Sequence, residues 1–413
     1  MVPLALPVRR AQDPGRAVAR LVLVAGAASL LDSAAIISVG SALPLWRSAF
    51  QLDDVHVGAV SAVLTIGIAL GALVGGPVAD RMGHRRVFTA TVLLYAVGAA
   101  VVGAAWSAAV LIVGAALLGL GSGANLPASI ALVADRVPWT VRGRMVAATH
   151  VMWTLGIVLA SAAAFAVSPW GLRGMRAVFL ALACAALVAL AGRRQVVPGL
   201  PRGHQAQQER GVGDPSVGAA TTKRTRVLVL IALFYVVYTL VANTFGSFRT
   251  YLLVVVGGAD QTLATGISFG VTVLGLAGTV AFSMVADSPW RRRVYPVAAV
   301  LLVASQALLA LTVGGSLAMT CVALVLYALA YPYVGEGLYK VWAQEASAPH
   351  QRATFQGGTI AAARAAAALF ALATPALMAR DPQLLFGMLA AAALTAVLLG
   401  YAVMRAGARR PSH

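Results

Sequence analysis

The chain has 413 residues, of which 60% are hydrophobic and 11% charged. A soluble domain carries about a quarter charged residues and just under half apolar ones, so the polar surface here is too small to cover a water-soluble particle and the apolar excess calls for a bilayer. The net charge of +18 comes from 31 basic and 13 acidic residues, and the arginines fall between apolar runs rather than on one face, which argues against nucleic acid as a partner.

In chain order the apolar runs cover residues 21–46, 55–78, 87–105, 108–134, 145–167, 175–191, 227–256, 262–286, 294–313, 316–342, 353–378 and 384–404. Most reach the ~20 residues that a helix needs to cross ~30 Å of hydrocarbon. The alternation of a membrane β-barrel is absent. The first run follows Arg9, Arg10, Arg16 and Arg20, as a signal peptide would, but it is too long for one and contains Asp32, so it is read as a span. Gly67, Gly71 and Gly75 in the second run and Gly119, Gly121 and Gly123 in the fourth are spaced for close helix packing. No strand precedes the second set, so it is not a dinucleotide loop. The polar stretch at 193–226, rich in Gly, Pro and Gln, reads as a linker.

These runs predict an all-α membrane protein of twelve transmembrane helices in two pseudo-symmetric six-helix bundles, 1–192 and 227–413, joined by a cytoplasmic linker. With the N-terminus inside, only Arg47, Arg173, Arg176, Arg249 and Arg380 fall on outer segments, and nearly all other basic residues fall on inner ones. That bias predicts a plasma-membrane protein with both termini in the cytoplasm. Cys184 and Cys321 lie within apolar runs and are read as packing residues.

The loop after the second run, Val78 to Phe88, and the loop after the eighth, Val285 to Tyr295, are identical at six of eleven positions at an offset of 207. A second echo, Asp135 with Arg142 and Glu345 with Arg352, recurs at an offset of 210. Two matched loops imply duplicated halves with a site between them near the bilayer midplane.

The first of these loops, with Gly76, Ala79, Asp80, Arg81, Gly83, Arg85 and Arg86, resembles the signature of the major facilitator superfamily. A closer resemblance is to the sugar porters and their bacterial inositol-transporter-like members. It rests on Leu31 to Ala34, on Gly119 to Pro127, on Arg142-Gly143 with His150, Trp153 and Gly156, and on Gly335-Glu336, Trp342, Glu345, Arg352 and Arg364. The chain departs from that pattern where Ala115 replaces an arginine, where His150 replaces a substrate-binding glutamine, and where the motifs after spans 6 and 12 are missing. The resemblance implies alternating access, with gating charges at Asp80, Arg81, Arg85, Arg86, Asp135, Arg142, Asp287, Arg292, Arg293, Glu345 and Arg352, helped by turns at Gly76 and Gly83.

Within the spans the ionisable residues are Asp32, His150, Glu336, Lys340 and Arg364. Charges there are costly, so they line cavities or pair. Asp32, near mid-depth of the first span, is the candidate proton-coupling residue. Glu336 and Lys340 are spaced to pair along one helix face, and Glu336 also lies at the depth of Arg364, which would allow a pair between helices. Polar and aromatic candidates for binding a hydroxyl-rich solute are Asn125, Trp153, Asn243, Gln306, Tyr331 and Gln356, alongside His150, Glu336 and Arg364.

Neither Lys223 nor Lys340 follows a glycine, so no phosphate loop exists for ATP. The expected function is secondary transport of a small polyhydroxylated solute, inositol- or sugar-like, coupled to protons, by a monomer that needs neither cofactor nor metal. Export of a drug-like product is the alternative within transport. A membrane-embedded enzyme lacks a nucleophile, metal cluster or acid pair in the spans.

Overall fold

The computed structural model describes residues 14–82, 84–136, 139–196, 218–285, 288–347 and 352–407. Among them all regular structure is helical. The order is α1 (Pro14–Ala49), α2 (Asp54–Met82), α3 (His84–Gly103), α4 (Ala108–Arg136), α5 (Trp139–Val167), α6 (Gly171–Val196), α7 (Gly218–Tyr251), α8 (Gln261–Val285), α9 (Trp290–Thr312), α10 (Leu317–Val334), α11 (Glu336–Ala346), α12 (Arg352–Arg380) and α13 (Pro382–Gly407). A 3₁₀ turn, Ser168–Trp170, joins α5 to α6, and a π turn, Leu252–Val256, ends α7. Among the described residues ten stretches are long and apolar enough to cross a membrane, and Ala108–Ala124 is a shorter one. Val151–Ala191 contains parts of both α5 and α6, and Leu317–Ala343 contains α10 and most of α11.

Large apolar side chains such as Leu70, Leu73, Val188, Val300 and Leu398 are exposed on the outer faces of the helices. In water such a surface would drive aggregation; in a bilayer it faces lipid. Cys184 is on an exposed face as well, so it does not pack inside the bundle. The interior is built instead by small residues that let helices close up. A Cβ on Gly71 of α2 would sit 2.8 Å from the Ala124 nitrogen of α4, and one on Gly121 of α4 would sit 2.8 Å from the Thr91 carbonyl of α3. The two glycine series therefore serve packing within the chain, with α4 held between α2 and α3.

Helix starts are capped at one end of the molecule. Asp53 accepts the backbone N–H of His56 at 2.8 Å at the start of α2, Asp260 that of Leu263 at 2.8 Å in α8, and Asp381 that of Leu384 at 2.9 Å in α13. Each carboxylate satisfies an N–H that the helix cannot, and meets the positive end of the helix dipole. The His56 N–H holds the exposed Asp53 carboxyl below its usual range.

The tenth apolar run differs from the expected single helix. It breaks at Gly335, between α10 and α11. Pro332 removes a donor from the last turn of α10. At Gly335 a side chain would run into the Tyr331 carbonyl and the Tyr238 hydroxyl. The break places Glu336 in the first turn of α11, where an acid suits the helix N-terminus.

Candidate functional site

One end of the bundle is closed by three close crossings. A Cβ on Gly40 of α1 would come within 3.0 Å of the Gly246 carbonyl of α7, and one on Gly58 of α2 within 3.0 Å of the Ala371 carbonyl of α12. In the third crossing Phe165 of α5 stacks on Phe269 of α8 with centroids 6.3 Å apart, and the hydroxyls of Ser161 and Thr272 lie 3.3 Å apart. Beyond these crossings Arg47 pairs with Asp54 at 3.1 Å, Tyr251 donates to Asp54 at 3.3 Å, and the Arg47 guanidinium lies 5.5 Å from the centre of the Tyr251 ring. The Gln261 amide donates to the Ser41 carbonyl at 2.9 Å.

Below this closure lies a cavity of about 120 Å³. Its α1 and α5 wall carries Ser33, Ile36, Ile37, Trp153 and Ile157. Its other wall, from α7, α10, α11 and α12, carries Tyr235, Tyr238, Thr239, Asn243, Phe245, Arg249, Tyr327, Tyr331, Glu336 and Arg364. The aromatic rings form layers: Tyr235 stacks on Tyr339 at 3.9 Å, Phe245 on Tyr327 at 4.3 Å, and Tyr327 on Tyr331 at 5.6 Å.

Asp32 of α1, the neighbour of Ser33 in the first wall, is buried, 2% exposed. One carboxylate oxygen accepts the Ser122 hydroxyl of α4 at 2.5 Å; the other is buried with no hydrogen-bond partner. The neighbouring Ser33 donates to the Trp153 carbonyl at 2.6 Å, which ties α1 to α5 at the cavity edge. Arg364 is within electrostatic reach of Asp32.

Of the residues singled out by sequence, Trp153, Asn243, Tyr331, Glu336 and Arg364 meet at the cavity. Gln306 does not line it: it is buried and donates to Ser305 at 2.8 Å. Gln356 is half-buried away from the cavity lining. The side chains of Asn125 and His150 lie outside the described residues. The ion pair that Glu336 forms runs along its own helix, to Lys340 at 2.8 Å, rather than across to Arg364, whose Nε is buried without a hydrogen-bond partner. The i, i+4 spacing wins because both partners are placed by one helix.

Arg249 is a cavity residue that the sequence reading assigned to an outer segment. Its Nη2 donates to Thr272 at 2.9 Å and its Nε has no partner. Its position inside the 227–256 run was the signal.

In the gating set, Arg81 and Arg86 are exposed at the ends of α2 and α3. Glu345 takes a two-pronged bond from Arg291 at 2.9 and 3.4 Å, and Arg293 covers the Trp290 ring at 4.9 Å. Arg291, absent from the expected set, is thus the partner of Glu345. Gly83 and Asp287 lie outside the described residues, as do the side chains at Gly76, Asp80, Arg85, Asp135, Arg142 and Arg352.

A helical bundle with a lipid-facing exterior and a central cavity at a crossing of helices from both parts of the chain defines a membrane transporter. The profile of the Major Facilitator Superfamily matches residues 22–372, and the chain belongs to this family. It is 27% identical to the minor myo-inositol transporter IolF of Bacillus subtilis over 389 residues, 92% of this chain and 86% of that protein. It is 33% identical to the niacin transporter NiaP of Acinetobacter baylyi over 120 residues, 29% of this chain and 27% of that one. Its fold is similar to that of a crystallised D-xylose-proton symporter, with a TM-score of 0.78 at 18% identity over 92% of this chain and 96% of that one. A partially occluded, inward-open form of the xylose transporter XylE of E. coli gives 0.76 at 16% identity over 94% and 98%.

Proposed function

We propose that this chain is a proton-coupled secondary transporter that moves a small hydroxylated organic solute across the plasma membrane by alternating access. In this reading the helices form twelve spans in two six-helix bundles, 1–192 and 227–413, with α10 and α11 together making one span. Both termini and the 193–226 linker are cytoplasmic, the closed end faces outward, and the monomer is the working unit. The observation that carries the reading is the cavity between helices of both parts of the chain, shut at one end, with a buried carboxylate beside it.

Asp32 is the proton site. A buried carboxylate oxygen without a donor is a place for a proton, and Ser122 holds the group in position from α4. Asn243 and Thr239 offer neutral hydrogen bonds to solute hydroxyls, and Trp153 and the tyrosine layers pack against its C–H faces. Support for a hydroxylated solute comes from the likeness to the myo-inositol transporter along most of the chain. Asp80 and Asp287, with the arginines that follow them, bias the rocking of the two bundles from the inner face.

The test is reconstitution in proteoliposomes, acid outside, with radiolabelled myo-inositol, D-glucose, D-glucuronate and 4-hydroxybenzoate. Accumulation of at least one solute above its outside concentration, collapsed by a protonophore, is expected. Accumulation that ignores the protonophore refutes the coupling. Asp80→Asn protein should insert normally and turn over more slowly; wild-type turnover would reduce that loop to a membrane anchor.

A further inference from the structure

The cavity holds more positive charge than a neutral solute requires. Arg249 and Arg364 both line it, and each has a buried Nε with no hydrogen-bond partner. The carboxylate that lines it, Glu336, is paired with Lys340 at 2.8 Å. Among the described residues no carboxylate lies within ion-pair distance of Arg249 or Arg364. The hydrogen bond that Arg249 makes goes to a neutral hydroxyl, that of Thr272. Asp32 is within electrostatic reach of Arg364 but is bonded to Ser122.

A guanidinium does not deprotonate in a protein, so it cannot escape burial by neutralising. A buried cation is retained where an anion completes it. The planar fork of arginine matches a carboxylate in particular, through two parallel N–H bonds. The rest of the wall limits what carries that carboxylate. The stacked faces of Tyr327, Tyr331 and Phe245 suit a flat or chair-shaped ring. A cavity of about 120 Å³ is of the size that accepts one six-membered ring, since an apolar cavity of ~150 Å³ holds benzene.

We propose that the transported solute is a single-ring monocarboxylate whose carboxylate is held by Arg249 and whose ring lies between the Trp153 side and the tyrosine layers. The inference rests on the transport reading above and adds a charge to its solute. Arg249, bonded to Thr272 of α8 beside the α5 crossing, would then link solute capture to the closed end.

Binding is measured on purified wild-type protein in detergent, with two matched pairs of probes: D-glucuronate against D-glucose, and 4-hydroxybenzoate against 4-hydroxybenzamide. Within at least one pair the acid should bind ten-fold or more tightly than its neutral partner, and the two pairs decide between a saturated and an aromatic ring. Arg249→Gln, which keeps a donor for Thr272, should erase that preference while leaving the melting temperature near wild type. Arg364→Gln, at a cavity residue within electrostatic reach of Asp32, should change it less. A purely structural arginine would instead lower the melting temperature and weaken both members of a pair equally, which overturns the proposal. Neutral probes that bind as well as the acids, or no binding by either acid, overturn it as well. Acid binding without proton-driven accumulation keeps this inference and removes the coupling. Proton-driven uptake of myo-inositol or D-glucose that neither acid inhibits does the reverse.

Discussion

The two walls of the cavity enclose the same space with different chemistry. The α1 and α5 wall shows the cavity two isoleucines from α1, a tryptophan and a third isoleucine from α5, and Ser33, whose hydroxyl is spent on the Trp153 carbonyl. Its one charge, Asp32, is turned away toward α4. The facing wall shows two arginines, a glutamate, an asparagine and four tyrosines. Under the proposed function, a carboxylate set behind an apolar wall would exchange protons without competing for solute, whereas side chains on the opposite wall would touch the solute directly. In that same reading, the contrast places energy coupling and recognition on opposite sides of one small space, so that each should be open to disturbance without the other.

The strongest way to break that contrast is to change one residue on each side. Asp32→Asn should abolish uphill accumulation and leave exchange of labelled solute across the membrane. Asn243→Ala should raise the half-saturating concentration several-fold while accumulation, relative to flux, stays intact. If Asp32→Asn protein still concentrates solute when only a pH difference is supplied, the division fails. A smaller effect tests the paired charges of the polar wall. Lys340→Met takes the Lys340 charge away from Glu336 in a partly buried site, so the single variant should be less stable than the Lys340→Met, Glu336→Met double. Thermal unfolding should give a coupling of roughly 0.5–3 kcal/mol, and additive effects would mean the pair is ornamental. Smaller still, Asp54→Asn should shift the closed end toward opening by about 0.2–1 kcal/mol, as for partly exposed pairs, seen as faster labelling of a cysteine placed at Ser41. Least of all, Asp53→Ala should lower the melting temperature slightly at neutral pH. Because the folded carboxyl is held low, that difference should persist above the ordinary carboxylate range and fade as pH falls through it.

Much of the helical architecture could be read from hydropathy alone, because lipid imposes one rule on every residue that faces it: apolar side chains and a satisfied backbone. Asp32 was legible for the same reason, since an acid inside such a run stands out. The Gly67 and Gly119 series were legible as packing because their spacing matches one helix face. What lay beyond hydropathy depended on partners distant in sequence. The break at Gly335 arises from the approach of Tyr238, ninety-seven residues away in the chain. Arg249 looked like an end-of-span anchor until the crossing with α8 placed Thr272 against it. For Glu336 two partners were available by depth and spacing, and only the fold of α11 selects Lys340.

The closed end carries a consequence for the medium the protein meets. Its terminal ion pair, Arg47 with Asp54, keeps 32% and 23% of its side-chain surfaces exposed, so dissolved ions reach it. The screening length is ~10 Å at 0.1 M salt and ~3 Å at 1 M. The neighbouring contacts, Phe165 on Phe269 and Gly40 against α7, carry no charge for salt to screen. Added salt on that side therefore weakens this ion pair and leaves the neighbouring contacts unscreened. Ionic strength thus acts at the rim through two residues, independently of the chemistry at the centre.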